Sequence, residues 1–199
     1  TRGNPIAIAG SVDKTATDGK SYVLTIDRNI QAQAEVSLAA GVKNVGAKSG
    51  SVIVMDPNSG AIKAMANFPT FEPSEYSKVR DYSTFSNSEV TDQFEPGSGF
   101  EMFTMVGGLD SGKVKPETTY NDTGEVELDG YKINNSSDKK WGVQNMGDVI
   151  EKSLNTGVIF VLRSMGGNPN DITLAGKKLF YNYVQKFGFG KTTGVEQSG

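Results

Sequence analysis

The chain has 199 residues, 36% of them hydrophobic, and a formal net charge of −3, which suits one domain with a sizeable core or part of a larger one. That weak negative charge supplies no general pull towards nucleic acid or an anionic membrane, so nucleic acid is not an expected partner. Neither cysteine nor histidine occurs, which excludes disulfides, thiolate metal sites and every mechanism needing a histidine base.

Residues 1–20 are polar and Gly-rich and read as an irregular lead-in to a unit covering 21–199. Thr1 is read as not being a biological start, so the chain reads as an excised segment; it carries no signal peptide and no apolar run of ~18 residues. Ser21 to Ile26 is a short β-rich run. Asp27 can cap a helix in which Ile30, Ala34, Leu38 and Val42 recur every fourth residue along one face. Ser51 to Met55 and Ala61 to Ala66 read as strands of an antiparallel hairpin around Asp56-Pro57-Asn58-Ser59. Residues 67–93, with Pro69, Pro73 and many polar residues, form a long ordered loop, read as structural cover near a cleft. Met102 to Leu109 is an apolar helix broken at Ser111-Gly112. Alternation around Asp129-Gly130 predicts a second hairpin, 125–128 with 131–134. Residues 146–165 are helical on both sides of an interruption at 153–157. A last helix, capped by Asn170 or Asp171, runs to Phe187 and stops at Gly188.

Pro96-Gly97 favours a turn before the apolar helix, which puts Ser98 at or next to the helix N-cap. Unpaired N–H groups and the positive end of the helix dipole would stabilise an alkoxide or oxyanion there. A serine nucleophile also needs a base, and the residue one turn on, at i+3, is Glu101. The same four residues match a capping box, Ser-x-x-Glu before an apolar run, so capping is the structural alternative for Ser98 and Glu101.

Phe94-Glu95-Pro96-Gly97-Ser98, followed by Phe100 and an apolar helix, resembles the first active-site motif of class B penicillin-binding proteins, the D,D-transpeptidases that cross-link peptidoglycan. Leu24 to Gln31 resembles the start of their transpeptidase domain. Gly50 to Asp56 with Gly60-Ala61-Ile62 and Ala64 to Asn67 resembles its first hairpin. Leu109 to Val114 and Asn121-Asp122-Thr123-Gly124 are also similar. Ser153-Leu154-Asn155-Thr156-Gly157 resembles the second motif, Ser-x-Asn, and Phe187 to Gly190 with Thr193-Gly194 the stretch after it. The likeness runs from about Asp18 to Gly199.

The resemblance implies the mixed α/β (α+β) penicillin-binding transpeptidase or serine β-lactamase-like fold, an antiparallel sheet packed with a helical subdomain. It implies Ser98 at the nucleophile position, a relay serine at Ser153 and a substrate-binding asparagine at Asn155. Peptidoglycan stem peptides and β-lactams are the implied partners, without cofactor or metal, at the extracytoplasmic face of a bacterial membrane.

Two departures stand against this pattern. The family's lysine position is occupied by Glu101. A glutamate is a weak base at neutral pH, with a free value of ~4.3, and a unit charge at ~4 Å is worth on the order of 1–4 kcal/mol. General-base help is typically worth ~10²–10⁴-fold, so slow or absent chemistry is expected. The family's third motif, Lys-Thr-Gly on a later strand, is absent. Lys191-Thr192-Thr193-Gly194 is read as a loop after the last helix, and the C-terminal sheet strands as missing. The alternative is therefore a non-catalytic scaffold or binding module, with a second chain as the partner that completes the sheet. Trp141 is read as a packing residue.

Overall fold

The computed structural model describes residues 18–137 and 139–195. Most of the expected lead-in lies outside these residues. The chain divides into two compact units, one through Asp92 and one from Gln93.

In the first unit, Asp27 caps helix α1 (Arg28–Val45), its carboxylate accepting from the backbone N–H of Asn29 and Ile30. Strands β1 (Gly50–Met55) and β2 (Ile62–Phe68) pair antiparallel, Val52 opposite Ala66 and Val54 opposite Ala64. Those four residues face α1 and pack with Ala34 and Leu38; of the predicted four-residue spacing, Ala34, Leu38 and Val42 are covered, while Ile30 at the helix start is exposed. Gln31 Nε2 donates to the Met65 carbonyl at 2.9 Å, and the Met65 N–H donates to Gln31 Oε1 at 2.8 Å. A helix side chain thus satisfies backbone groups of β2 that an open edge would leave to water. No strand among the described residues pairs with the other edge of β1.

The run Ser21–Ile26 is not a strand. It is irregular and exposed, with Val23 99% accessible. Its β propensity finds no sheet neighbour, and propensity without packing does not hold a strand. The long loop is ordered by short turns at Pro73–Lys78 and Tyr82–Phe85 and a one-turn helix α2 (Ser88–Thr91). Asn67 bonds Asn87 and Ser88, and the Phe71 and Phe85 rings meet edge-on at 4.7 Å.

In the second unit, a 3₁₀ turn (Gly97–Phe100) runs into α3 (Glu101–Asp110). Strands β3 (Thr119–Asp122) and β6 (Gly142–Asn145) pair around the hairpin β4 (Glu125–Leu128) and β5 (Tyr131–Asn134). Asp129 and Gly130, at φ of 50° and 80°, turn that hairpin as predicted. Helices α4 (Met146–Glu151), α5 (Asn155–Met165) and α6 (Leu174–Lys186) follow. The break between α4 and α5 is shorter than expected, because Asn155 to Gly157 already belong to α5. The cap of α6 is Thr173, not Asn170 or Asp171: its hydroxyl accepts from Gly176 N at 3.2 Å.

The core of this unit gathers Met105 of α3, Val114, Met146 and Val149 of α4, and Val161 of α5, with Tyr120 and Phe160 stacked against it. Burial of each such side chain contributes about 1.5–3 kcal/mol. The helices approach at glycines. A Cβ on Gly108 would lie 2.5 Å from Val161 Cγ1, and one on Gly157 would lie 2.4 Å from Val149 Cγ2 and 2.9 Å from the Tyr120 hydroxyl. Gly176 of α6 sits 3.0 Å or so from the Gly166 backbone on the same measure. Valine cannot swing aside without an off-rotamer penalty. Gly157→Ala is therefore expected to lower stability by about 1–2 kcal/mol, overpacking outweighing the gain in helix propensity. Thermal unfolding measures this directly, and an unchanged midpoint would show that α5 has room.

Candidate functional site

Gly97 adopts φ 58°, a backbone that glycine takes without strain, and this reverses the chain into the 3₁₀ turn carrying Ser98. The Glu101 N–H bonds the Ser98 carbonyl, so the turn continues into α3 without a break. The capping alternative is not what the structure holds. No side chain caps the 3₁₀ turn or α3; the capping box of this unit is Asn145 with Asp148, at α4. The turn is fixed instead by rings. Phe100 lies 5.1 Å from Phe189, and Phe103 lies 5.0 Å from Phe187 and 4.9 Å from Phe189, in edge-on or tilted contacts, a favoured aromatic geometry.

Ser153 stands between α4 and α5 at φ 51°, left-handed backbone that a non-glycine residue adopts at a cost. Leu154, 1% exposed, anchors the next position in the core. The outcome is that Ser153 Oγ lies 2.9 Å from Ser98 Oγ and 2.7 Å from Glu101 Oε1. Ser153 has one hydroxyl proton for these two contacts, and a carboxylate can only accept. With Ser153 donating to Glu101, the Ser98 hydroxyl is left to donate to Ser153. Glu101 is 8% exposed, and no cation pairs with it among the described residues, whose ion pairs are Lys78–Glu75, Lys132–Glu125 and Lys152–Asp148.

Ser98 and Glu101 border a cleft of about 520 Å³, lined also by Phe100, Ile133, Asn155 and Val158 among others. Asn155 Nδ2 donates to the Asn134 carbonyl at 2.8 Å, which ties the start of α5 to the end of β5. Of the four sequence-predicted positions, Ser98, Glu101 and Asn155 line one cleft, and Ser153 joins them through its contacts with Ser98 and Glu101. Lys191 to Gly194 form an exposed irregular segment after α6, as expected. Lys139 and Lys152 Nζ each lie over the Trp141 ring, 5.1 Å from its centroid.

One group behind the cleft escaped the sequence reading. Asp122, 2% exposed, accepts four hydrogen bonds: from Thr156 Oγ1 at 2.6 Å, Asn135 Nδ2 at 2.9 Å, Trp141 N at 2.9 Å and Gly124 N at 3.1 Å. Asn135 Oδ1 in turn accepts from Thr156 N at 3.2 Å. Burial alone would raise the Asp122 carboxyl, but the hydrogen bonds, that of Thr156 first, more than offset it and hold the group below its ordinary value. Burial pushes the neighbouring Tyr120 phenol up to about 12, so it stays neutral beside Thr156. Asp-Thr-Gly is a recognisable Asx-turn signal, which could have found the Gly124 contact. The other three partners are non-local.

Among the described residues no cluster of three metal-ligating side chains occurs, and no helix is long and apolar enough to cross a membrane. Asp122→Asn places an amide among fixed N–H donors and is expected to cost about 2 kcal/mol or more at neutral pH. A carboxyl lowered in the folded state contributes stability above its unfolded value of ~3.9 and loses it as pH falls through the folded one. The difference between wild type and Asp122→Asn in denaturant unfolding should thus shrink below pH ~4. A constant difference would show that Asp122 is not charged in the fold.

Residues 50–199 match the family model described as the penicillin-binding protein transpeptidase domain. The chain is 28% identical over 186 residues to a peptidoglycan D,D-transpeptidase FtsI homolog of Mesostigma viride, covering 90% of this chain and 29% of that protein. It is 28% identical to stage V sporulation protein D of Bacillus subtilis, covering 92% of this chain and 27% of that one. The chain thus spans less than a third of these relatives' length. Among solved structures, the TP domain of penicillin-binding protein 3 from Burkholderia pseudomallei aligns with a TM-score of 0.70 at 29% identity, over 91% of this chain and 47% of that one. The expected transpeptidase-like fold is the one found.

Proposed function

The chain belongs to the penicillin-binding protein transpeptidase domain family, and from that membership we propose that residues 21–199 are part of a class B D,D-transpeptidase domain working in peptidoglycan cross-linking outside the cytoplasm. In this reading Ser98 is the serine acylated by a stem peptide. Its Oγ attacks the carbonyl of the penultimate D-Ala, the terminal D-Ala leaves, and a neighbouring amine takes the acyl group. Asn155 binds the substrate amide across the cleft, and β-lactams acylate the same oxygen. One observation carries the reading: Ser153 Oγ lies within 2.9 Å of both the Ser98 and Glu101 side chains, beside an open cleft.

The same observation supports impaired chemistry. A carboxylate stands where the family keeps a lysine, no cation pairs with it among the described residues, and negative charge near a developing oxyanion raises the barrier. A second reading, a scaffold completed by another polypeptide, is favoured by a different feature. One edge of β1 is unpaired among the described residues, and a groove of about 850 Å³ lined by Leu38, Val42, Val45, Val52 and Val54 lies open beside it.

A fluorescent penicillin separates these readings. Weak labelling that maps to Ser98 and strengthens at least about tenfold in Glu101→Lys supports an impaired transpeptidase site. If Glu101→Lys folds but labels nowhere, the acyl-serine reading is wrong and the scaffold reading stands.

A further inference from the structure

Resting on the reading of Ser98 as the acylated serine, the geometry points to Glu101 as the final proton acceptor of that serine, reached through the Ser153 hydroxyl. Ser98 and Glu101 are not hydrogen-bonded to each other. Both meet Ser153 Oγ, at 2.9 and 2.7 Å, distances short enough for proton transfer along the chain of three. Among the described residues, Glu101 is the only titratable side chain lining the cleft. Its near-complete burial and lack of an ion-pair partner among the described residues leave the Ser153 hydroxyl as the donor that its Oε1 meets. Ser153 is held for this by its left-handed backbone and by the buried Leu154 beside it.

The step balances as follows. Ser98 Oγ bonds to the carbonyl carbon while its proton passes to Ser153 Oγ, and the original Ser153 proton passes to Glu101 Oε1, which becomes a neutral acid. When the tetrahedral adduct collapses, the carbon–nitrogen bond breaks. The leaving nitrogen takes a proton from Ser153, which regains one from Glu101. The products are acyl-Ser98 and an amine, with Ser153 and Glu101 restored. For a penicillin the broken bond is that of the lactam ring, and the amine stays attached. Ser153 and Glu101 are positioning residues that handle the proton. They do not touch the carbonyl carbon.

The test is the acylation rate constant of the 199-residue chain with a fluorescent penicillin, measured against its concentration. Glu101→Gln keeps the shape and loses the acceptor; Ser153→Gly suits φ 51° and loses the hydroxyl. Each is expected to lower the rate constant at least about tenfold, with the half-saturating concentration changed by less than about twofold. Formate should restore part of the rate to Glu101→Ala in a saturable manner, which a purely structural role would not allow. Glu101→Gln labelling as fast as wild type, or formate without effect, overturns the relay. If the wild type does not label while Glu101→Lys labels Ser98, the relay falls and the reading of Ser98 stands. If no variant labels, Glu101→Lys included, both fall together.

Discussion

Four hydrogen bonds converging on the buried Asp122 carboxylate hold the cleft-bearing unit in register. They join the end of β3 to the turn after it, the residue after β5, the residue before β6 and the first turn of α5. An unsatisfied buried carboxylate would be costly, so each donor must be in place for the fold to be favourable. Thr156 is the donor that matters most for the cleft. It is gripped twice, through its hydroxyl by Asp122 and through its N–H by Asn135. Fixing Thr156 fixes Asn155 beside it and limits where the strained Ser153 can lie.

On the other side of the cleft the restraint is apolar. Phe100 and Phe103 pack among Phe180 of α6 and the Phe187 and Phe189 rings that follow it, and the 3₁₀ turn with Ser98 rides on that cluster. Two unlike devices, a polar hub and an aromatic one, therefore bring the Ser98 and Ser153 hydroxyls to hydrogen-bond distance. A carboxylate, that of Glu101, completes the contact and gives Ser153 an acceptor.

Local signals were legible wherever the cause is local. The periodicity of Ala34, Leu38 and Val42, the Asp27 cap and the Asp129-Gly130 turn each depend on neighbours within a turn or two, and each is found as read. Ser98, Glu101, Ser153 and Asn155 were singled out through motifs; three of them line one cleft, and Ser153 bonds two of those three. What the sequence left hidden depends on distant partners. The pairing of β3 with β6 spans a whole hairpin, and the Asp122 hub draws on Asn135, Trp141 and Thr156. The β-rich run at 21–26 looked like a strand because composition does not show whether a sheet edge is available. The Ser98-x-x-Glu101 capping pattern failed for a tertiary reason: Ser153 meets both side chains.

The close glycine contacts of α3, α5 and α6 bear on what a ligand would gain from this cleft. Where backbone meets valine or another backbone with no intervening side chain, the helices have no rotamers through which to breathe, and interiors packed this closely deform little. A cleft lined in part by two of these helices, α3 and α5, has little room to change shape. A molecule entering it orders few side chains and loses mainly its own freedom, so its complex would differ little in backbone from the empty protein and its affinity would track shape more than adaptability.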